Sequence, residues 1–379
     1  MNNKDKLIEY FKSGIKNSKD FKLGLELEHF VVCKNSQETV SFYANNGVEE
    51  VLKKISKYYD DMVYSEGHLV GLKRKNMIIT LEPAGQLEVS IGEFSGVHDF
   101  EIEYNRFLNE INPVLDEMEL NLAAMGYHPV SKAIDMPLVP KERYRIMNEH
   151  FKSTGTRGIN MMRGTCATQI SIDYYSEDDF KNKFRLANIL TPVLTYLTHN
   201  TPVFEGVENS NFARKMIWDS VDNARSGFVP NSLNVDFGFK EYADYILSAP
   251  PILIPKENGE LEYTAFKALS EIYALKSMNE GEIENALSMF FPYVRLKKYI
   301  EIRMMDSIPF EKVVGILSLI KNLFYDEKNV EILLKRFEDV TQKDAENAFD
   351  ELEKNVETST IYGENASKLV RDLLTLSNN

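Results

Sequence analysis

Five carboxylates fall in three short stretches whose spacing would bring them onto one surface. They are Glu26 and Glu28 in Gly24-Leu25-Glu26-Leu27-Glu28, Glu82 and Glu88 in Leu81-Glu82-Pro83-Ala84-Gly85-Gln86-Leu87-Glu88-Val89, and Glu301 in Tyr299-Ile300-Glu301-Ile302-Arg303. Side chains alternate along a strand with period two. Leu25, Leu27, Leu87, Val89, Ile300 and Ile302 are then expected to face a core, with Glu26, Glu28, Glu88 and Glu301 on the other side. Carboxylates held together raise one another's pKa unless a cation neutralises them, and oxygen ligands in this number suit Mg²⁺ or Mn²⁺. Arg303 shares the face of Glu301. An acidic wall with an embedded cation suits a nucleoside triphosphate, whose phosphates need both. Taken singly, each stretch also reads as the wet side of a half-buried antiparallel strand.

The elements that must position these groups are legible in outline. Leu7, Ile8 and Phe11 suggest an opening helix, and a first strand is expected from about Phe21 to Cys33. A helix is expected over Gly47 to Tyr59, then strands at His68 to Leu72 and Met77 to Ile91. Pro83 and Gly85 would interrupt the latter with a turn or bulge that re-aims Glu88. The spacing of Phe100, Tyr104, Phe107, Leu108, Ile111, Leu115 and Met118 predicts a helix over Asp99 to Leu120, with Pro113 inside it. Ser176-Glu177-Asp178-Asp179 resembles a capping box and starts a helix to about His199 that contains Pro192. Beyond Pro309, four helical patterns follow without a convincing strand: Val313 to Ile320, Ile332 to Phe337, Ala345 to Leu352, and Leu369 to Leu374. Residues 1–309 are therefore expected to form a catalytic region and 310–379 a helical layer or subdomain upon it.

Composition narrows the function. The 379 residues are 43% hydrophobic and 27% charged, enough for a substantial core. Lys and Arg number 44 against 58 Asp and Glu, a net charge of −14, and the densest basic stretch is only Arg295-Leu296-Lys297-Lys298. A nucleic-acid partner is not expected, because backbone binding needs a basic footprint. Cys33 and Cys166 cannot build a disulfide framework. The amino end lacks an apolar signal core and no stretch is apolar enough to span a membrane, so a cytoplasmic protein without a membrane partner is expected. The six histidines lack zinc-type spacing, and packing is the favoured role of Cys166.

The segments Gly24 to Phe30, Leu81 to Glu88, Arg143-Tyr144-Arg145-Ile146-Met147, Met161 to Gln169, Ile217-Trp218 through Arg225-Ser226-Gly227, and Phe291 to Arg303 occur in an order that resembles glutamate-cysteine ligase of the plant and proteobacterial type, in the wider carboxylate-amine ligase group. The resemblance covers roughly residues 20 to 306. It implies an α+β, glutamine-synthetase-like fold, a curved and mainly antiparallel sheet flanked by helices. It also implies ATP-dependent joining of the glutamate side-chain carboxyl to the amine of cysteine. The chain departs from the family at Thr165-Cys166-Ala167, where Thr-Cys-Thr is usual, and at Met304-Met305, where small residues are usual. Plant members use additional cysteines for redox control, which two cysteines make improbable here.

The resemblance implies roles as well. Glu26, Glu28, Glu82, Glu88 and Glu301, in some division, would hold two metal ions, with Glu88, Glu301 and Arg303 central to catalysis. Arg303 would stabilise the transferring phosphoryl group, and Arg295 and Lys298 would contact phosphates of ATP; for Lys298, ordinary charge pairing is an equal alternative. Arg143 and Arg225 are candidates for the α-carboxylate of L-glutamate, because a guanidinium meets a carboxylate bidentately. Thr165 and Gln169 would line the amino-acid pocket, or serve strand hydrogen bonding, and Trp218 would be a wall of it or a core anchor. A ligase with another amine acceptor, and a silent nucleotide-binding homologue, are the competing readings. All five carboxylates and Arg303 are present, which argues against the silent form.

Overall fold

The computed structural model describes residues 2–209, 212–256, 258–354 and 358–378. Nine strands form one sheet: β1 (Leu23–Cys33), β2 (Asp61–Ser65), β3 (His68–Arg74), β4 (Met77–Leu81), β5 (Leu87–Phe94), β6 (Leu120–Ala123), β7 (Ala167–Ile172), β8 (Val294–Leu296) and β9 (Ile300–Asp306). Their order is β8-β9-β7-β1-β5-β4-β3-β2, with β6 paired to the far end of β1. Every pairing in this sheet is antiparallel. The three acidic stretches, far apart in sequence, thus come within three strands of one another.

The helices that matter are α1 (Asn3–Lys12), α2 (Val48–Ile55), α3 (Val97–Glu117), α4 (Glu142–Thr154), α5 (Gly158–Gly164), α6 (Glu177–Leu197), α7 (Ala213–Asp219), α8 (Phe310–Tyr325), α9 (Glu327–Arg336), α10 (Gln342–Lys354) and α11 (Ala366–Ser377). Leu25, Leu27, Leu87, Val89, Ile170, Ile172, Ile300 and Ile302 are buried and belong to one continuous core with residues of α3, α6 and α8. Pro113 and Pro192 both lie inside their helices. The Ser176 hydroxyl caps α6 by accepting from the Asp179 N–H. The box is only half formed, because Asp179 accepts from the Tyr175 N–H and pairs with Lys183 instead.

The segment expected as one interrupted strand is two strands, β4 and β5. Its break is a reverse turn in which the Gly85 N–H donates to the Glu82 carbonyl and the Glu82 N–H to the Gln86 carbonyl, both at 2.9 Å. Gly85 has φ +86°, which suits glycine. Strand β2 was not signalled by its sequence, since this edge strand is exposed on nearly every residue and carries no alternation. The tail holds the four expected helices and, contrary to expectation, a short hairpin, Thr360–Ile361 with Glu364–Asn365. Through α10 the tail also touches α7. Lys215 lies 3.6 Å from the Glu353 carboxylate and 5.0 Å from the Phe349 ring centroid.

Candidate active site

The polar face of the sheet is not wet. It is roofed by α4, α5, α7 and the chain around Ser288 and Phe291, which enclose a cavity of about 270 Å³. Glu26, Glu28, Glu88, Gln169, Arg295 and Arg303 line it from the sheet, and Glu82 and Gln86 from the β4–β5 turn. Arg143, Tyr144, Met147, Met161, Met162, Arg214 and Trp218 line it from the helices, with Thr165, Ser288 and Phe291 between them. A second cavity of about 410 Å³ runs along the same sheet face, lined by Gly24, Asn76, Ile78, Ser90, Gly92, Ser171, Tyr299 and the amino-terminal lysines Lys16 and Lys22. Glu26 lines both cavities.

The strand register explains the electrostatics. Glu28 and Glu88 stand directly opposite each other on β1 and β5, and Glu26 lies opposite Gln169 on β7. Like charges in direct cross-strand register are unfavourable. Burial, then the nearby charges of Glu88 and Glu301, pushes Glu26 up to about 7. Burial and then Glu82 push Glu88 up to about 7 and raise Glu28 well above the usual carboxylate range. Protein donors satisfy these groups without neutralising them. Glu28 accepts from the Ala167 N–H (2.8 Å) and the Gln169 amide (3.0 Å), and Glu88 from the Thr80 hydroxyl (2.8 Å). With the oxygen of the same amide, Gln169 accepts from Arg303 Nη1 (2.5 Å). The register of β9 against β7 shifts between Ile302 and Met305, and this bulge places Arg303 where it meets Gln169.

Three of the expected site residues stand elsewhere. Glu301 is 2% exposed and does not line the cavity. It contacts Arg295 closely, Lys297 at 2.7 Å and Arg303 at 3.7 Å. Burial would raise its pKa, but these three cations hold it well below the usual range. In this structure Glu301, expected as a metal ligand, is an anchor for three cations. Arg225 is also 2% exposed and lies behind the lining, with Nη1 donating to Asp222 at 2.5 Å. Its carbonyl accepts from the N–H of Phe291, whose side chain does reach the cavity. Lys298 pairs with Glu280 at the surface. The remaining expected residues, Glu26, Glu28, Glu82, Glu88, Arg143, Thr165, Gln169, Trp218, Arg295 and Arg303, are brought together.

Two contributors were missed from the sequence. Arg214 precedes Trp218 by four residues on α7, the spacing of one helix face, and its guanidinium lies 5.7 Å from the indole ring while Nη2 donates to the Arg303 carbonyl at 3.3 Å. Lys297 follows Arg295 by two residues, which puts both on the side of Glu301. Around the cavity several buried donors have no protein partner: Arg143 Nε, Arg214 Nε and Trp218 Nε1. Unmade bonds from buried donors cost about 1–3 kcal/mol each, so these groups are suited to an anionic ligand.

As a test for a metal, the donor chemistry is hard oxygen, uncompensated and gathered on one wall. Among the described residues no three His, Cys, Asp or Glu side chains form a metal-sized group by themselves. That is compatible with Mg²⁺, which is usually held by one or two carboxylates together with water and substrate phosphates, and rarely by an all-protein cage.

The sequence matches glutamate-cysteine ligase family 2 over residues 22–357. It is 30% identical over 351 residues to "Glutamate--cysteine ligase B, chloroplastic" of Oryza sativa subsp. japonica, covering 90% of this chain and 70% of that protein. It is 31% identical to the chloroplastic glutamate–cysteine ligase of Arabidopsis thaliana, covering 90% and 67%. Its fold is similar to that of a glutamate–cysteine ligase from Francisella tularensis crystallised in complex with AMP, with a TM-score of 0.57 and 12% identity over 94% of this chain and 77% of that one. With a match that spans most of its length, this chain belongs to glutamate-cysteine ligase family 2.

Proposed function

We propose that this ligase joins the γ-carboxylate of L-glutamate to the amine of L-cysteine at the expense of ATP. The observation that carries the reading is one cavity with two chemistries: a wall of four carboxylates beside Arg295 and Arg303 on the sheet side, and unpartnered Arg and Trp donors on the helix side. Arg143 is the group we assign to the α-carboxylate of glutamate, since it lines the cavity with Nε free, while Arg225 stands behind it. Thr165, Gln169 and Trp218 complete that pocket. The nucleotide is assigned to the adjoining cavity, with its phosphates directed past Glu26, the residue common to both.

Glu26, Glu28, Glu82 and Glu88 would hold Mg²⁺ or Mn²⁺, whose chemistry there is to neutralise the triphosphate and lower the repulsion between two anions. Arg303, fixed by Gln169, and Arg295, fixed by Glu301, present positive charge to the phosphoryl group in flight. A γ-carboxylate oxygen of glutamate attacks the terminal phosphorus of ATP, the bond to the bridging oxygen breaks, and ADP leaves γ-glutamyl phosphate. The amine of cysteine then attacks the acyl carbon and phosphate departs. Met147, Met161, Met162 and Phe291 give the helix side an apolar surface that accepts a compact uncharged acceptor side chain. A cytoplasmic site of action belongs to the same reading, supported by two free cysteines.

Purified protein supplied with ATP, MgCl₂, L-glutamate and L-cysteine should yield γ-glutamylcysteine, ADP and phosphate, identified by mass. Hydroxylamine should intercept the acyl phosphate as γ-glutamyl hydroxamate. Success with hydroxylamine and failure with cysteine would move the assignment to another amine acceptor. Failure with both, in protein that binds ATP, would leave a silent homologue.

A further inference from the structure

Helix α4 carries Arg143, Met147 and His150 at the i, i+4 and i+7 positions of one face. The first two line the cavity, and His150 sits deeper, 2% exposed, between two polar groups of other elements. Its Nε2 lies 3.1 Å from Asp222 Oδ2, and its Nδ1 lies 3.2 Å from the Tyr263 hydroxyl. Asp222 follows α7 by three residues. Its Oδ2 also accepts from Arg225 Nη1, and its Oδ1 accepts from the Ala224 N–H at 3.0 Å. The hydrogen bond from His150 and the charge of Arg225 outweigh burial and hold Asp222 below the usual carboxylate range.

An ionised Asp222 only accepts hydrogen bonds. His150 Nε2 must then carry a proton and donate, while Nδ1 meets the Tyr263 hydroxyl. This arrangement fixes the orientation of the ring. It also ties α4, the helix of Arg143, to the loop that follows α7, the helix of Arg214 and Trp218. We propose that His150 and Asp222 are positioning residues for the amino-acid substrate: their buried bond sets the register of α4, and with it Arg143, across the cavity from Trp218. The inference rests on the assignment of Arg143 to the glutamate carboxylate. A group misplaced by about 1 Å can cost about a hundredfold in rate, so a bond that fixes a helix can act on affinity from outside the pocket.

The test compares His150→Ala with His150→Gln, whose amide NH₂ can take the place of the Nε2–H. KM for glutamate should rise about tenfold in His150→Ala, the loss expected of one hydrogen bond, and return to within about threefold in His150→Gln. KM for ATP should stay within about twofold in both. KM does not depend on the folded fraction, so a destabilised variant still reports. A glutamate KM that is unchanged, raised equally in both variants, or raised in parallel with that for ATP would overturn the proposal. Tyr263 is 46% exposed, and Tyr263→Phe serves if His150→Ala does not fold: a selective rise in glutamate KM is expected, and no change would overturn it. Arg143→Lys is the control. If it leaves glutamate KM unaltered, the underlying assignment fails, whatever the His150 variants do.

Discussion

On a single face of one sheet, the same residue type is treated in two opposite ways. Glu301, at the β8–β9 end, is surrounded by Arg295, Lys297 and Arg303 and is held ionised. At Glu26 and Glu88, on β1 and β5, burial and neighbouring carboxylates outweigh the pull of Arg303 and nearby lysines, and both are pushed up to about 7. The first arrangement is complete in the protein alone. The second leaves its carboxylates with raised pKa values, so residue type and strand parity do not by themselves distinguish the two environments.

The sharpest way to break the comparison is Glu88→Gln, which keeps size and removes charge. Turnover should fall at least about a thousandfold, roughly 4 kcal/mol of transition-state stabilisation, while the melting temperature is unchanged or higher because a repulsion has gone. A variant that turns over normally, assayed with and without a chelator, would make the wall structural. Glu301→Gln should show the reverse emphasis. It leaves three cations without their carboxylate, and breaking a buried pair in this way costs about 3–5 kcal/mol, measurable by urea unfolding. Equal stability of Glu301→Gln and wild type would erase the distinction between the two ends.

A smaller effect follows from protonation. Glu26 and Glu88 have folded pKa values near 7 against an ordinary value of 4.5. The unfolded chain therefore ionises first, and the folded protein loses stability as pH rises from about 4.5 through 7. A cation bound by the wall recovers that loss only where the carboxylates are ionised. The rise in melting temperature on adding Mg²⁺ should accordingly be larger at pH 8 than at pH 6, by calorimetry with a chelator blank; an equal or opposite dependence would contradict the assignment. The smallest effect belongs to Lys298→Ala, which removes a surface pair with Glu280 worth about 1 kcal/mol or less. KM for ATP should not move, and a clear rise would return Lys298 to the phosphates.

Much of the fold was legible because apolar periodicity dominates it. The alternation around Glu26, Glu88 and Glu301, the helices of Phe100 and Phe180, and the four tail helices all come from local pattern. Where the structure places a group away from the cavity, the cause is a partner that local pattern does not rank. Lys297, rather than Lys298, has the parity of Arg295 and therefore faces Glu301. Arg225 looked like a free fork, yet Asp222, three residues earlier, takes one edge of it. The role of Arg214 depends on where α7 docks, a tertiary fact, although its four-residue spacing from Trp218 is visible in the sequence.

The contact of α10 with α7 bears on the order in which the molecule is made. Phe349 packs 5.5 Å from Tyr293, whose hydroxyl donates to Asp219 at 2.6 Å and whose carbonyl accepts the Arg303 N–H at 3.0 Å. The carboxylates and arginines have all been synthesised by residue 303, but the brace that seats them arrives some fifty residues later, from Phe349 to Glu353. A nascent chain is then expected to hold every reactive group before it holds a working centre. Pulse-labelled chains arrested after Pro309 should bind nucleotide poorly and gain competence only as α10 clears the ribosome.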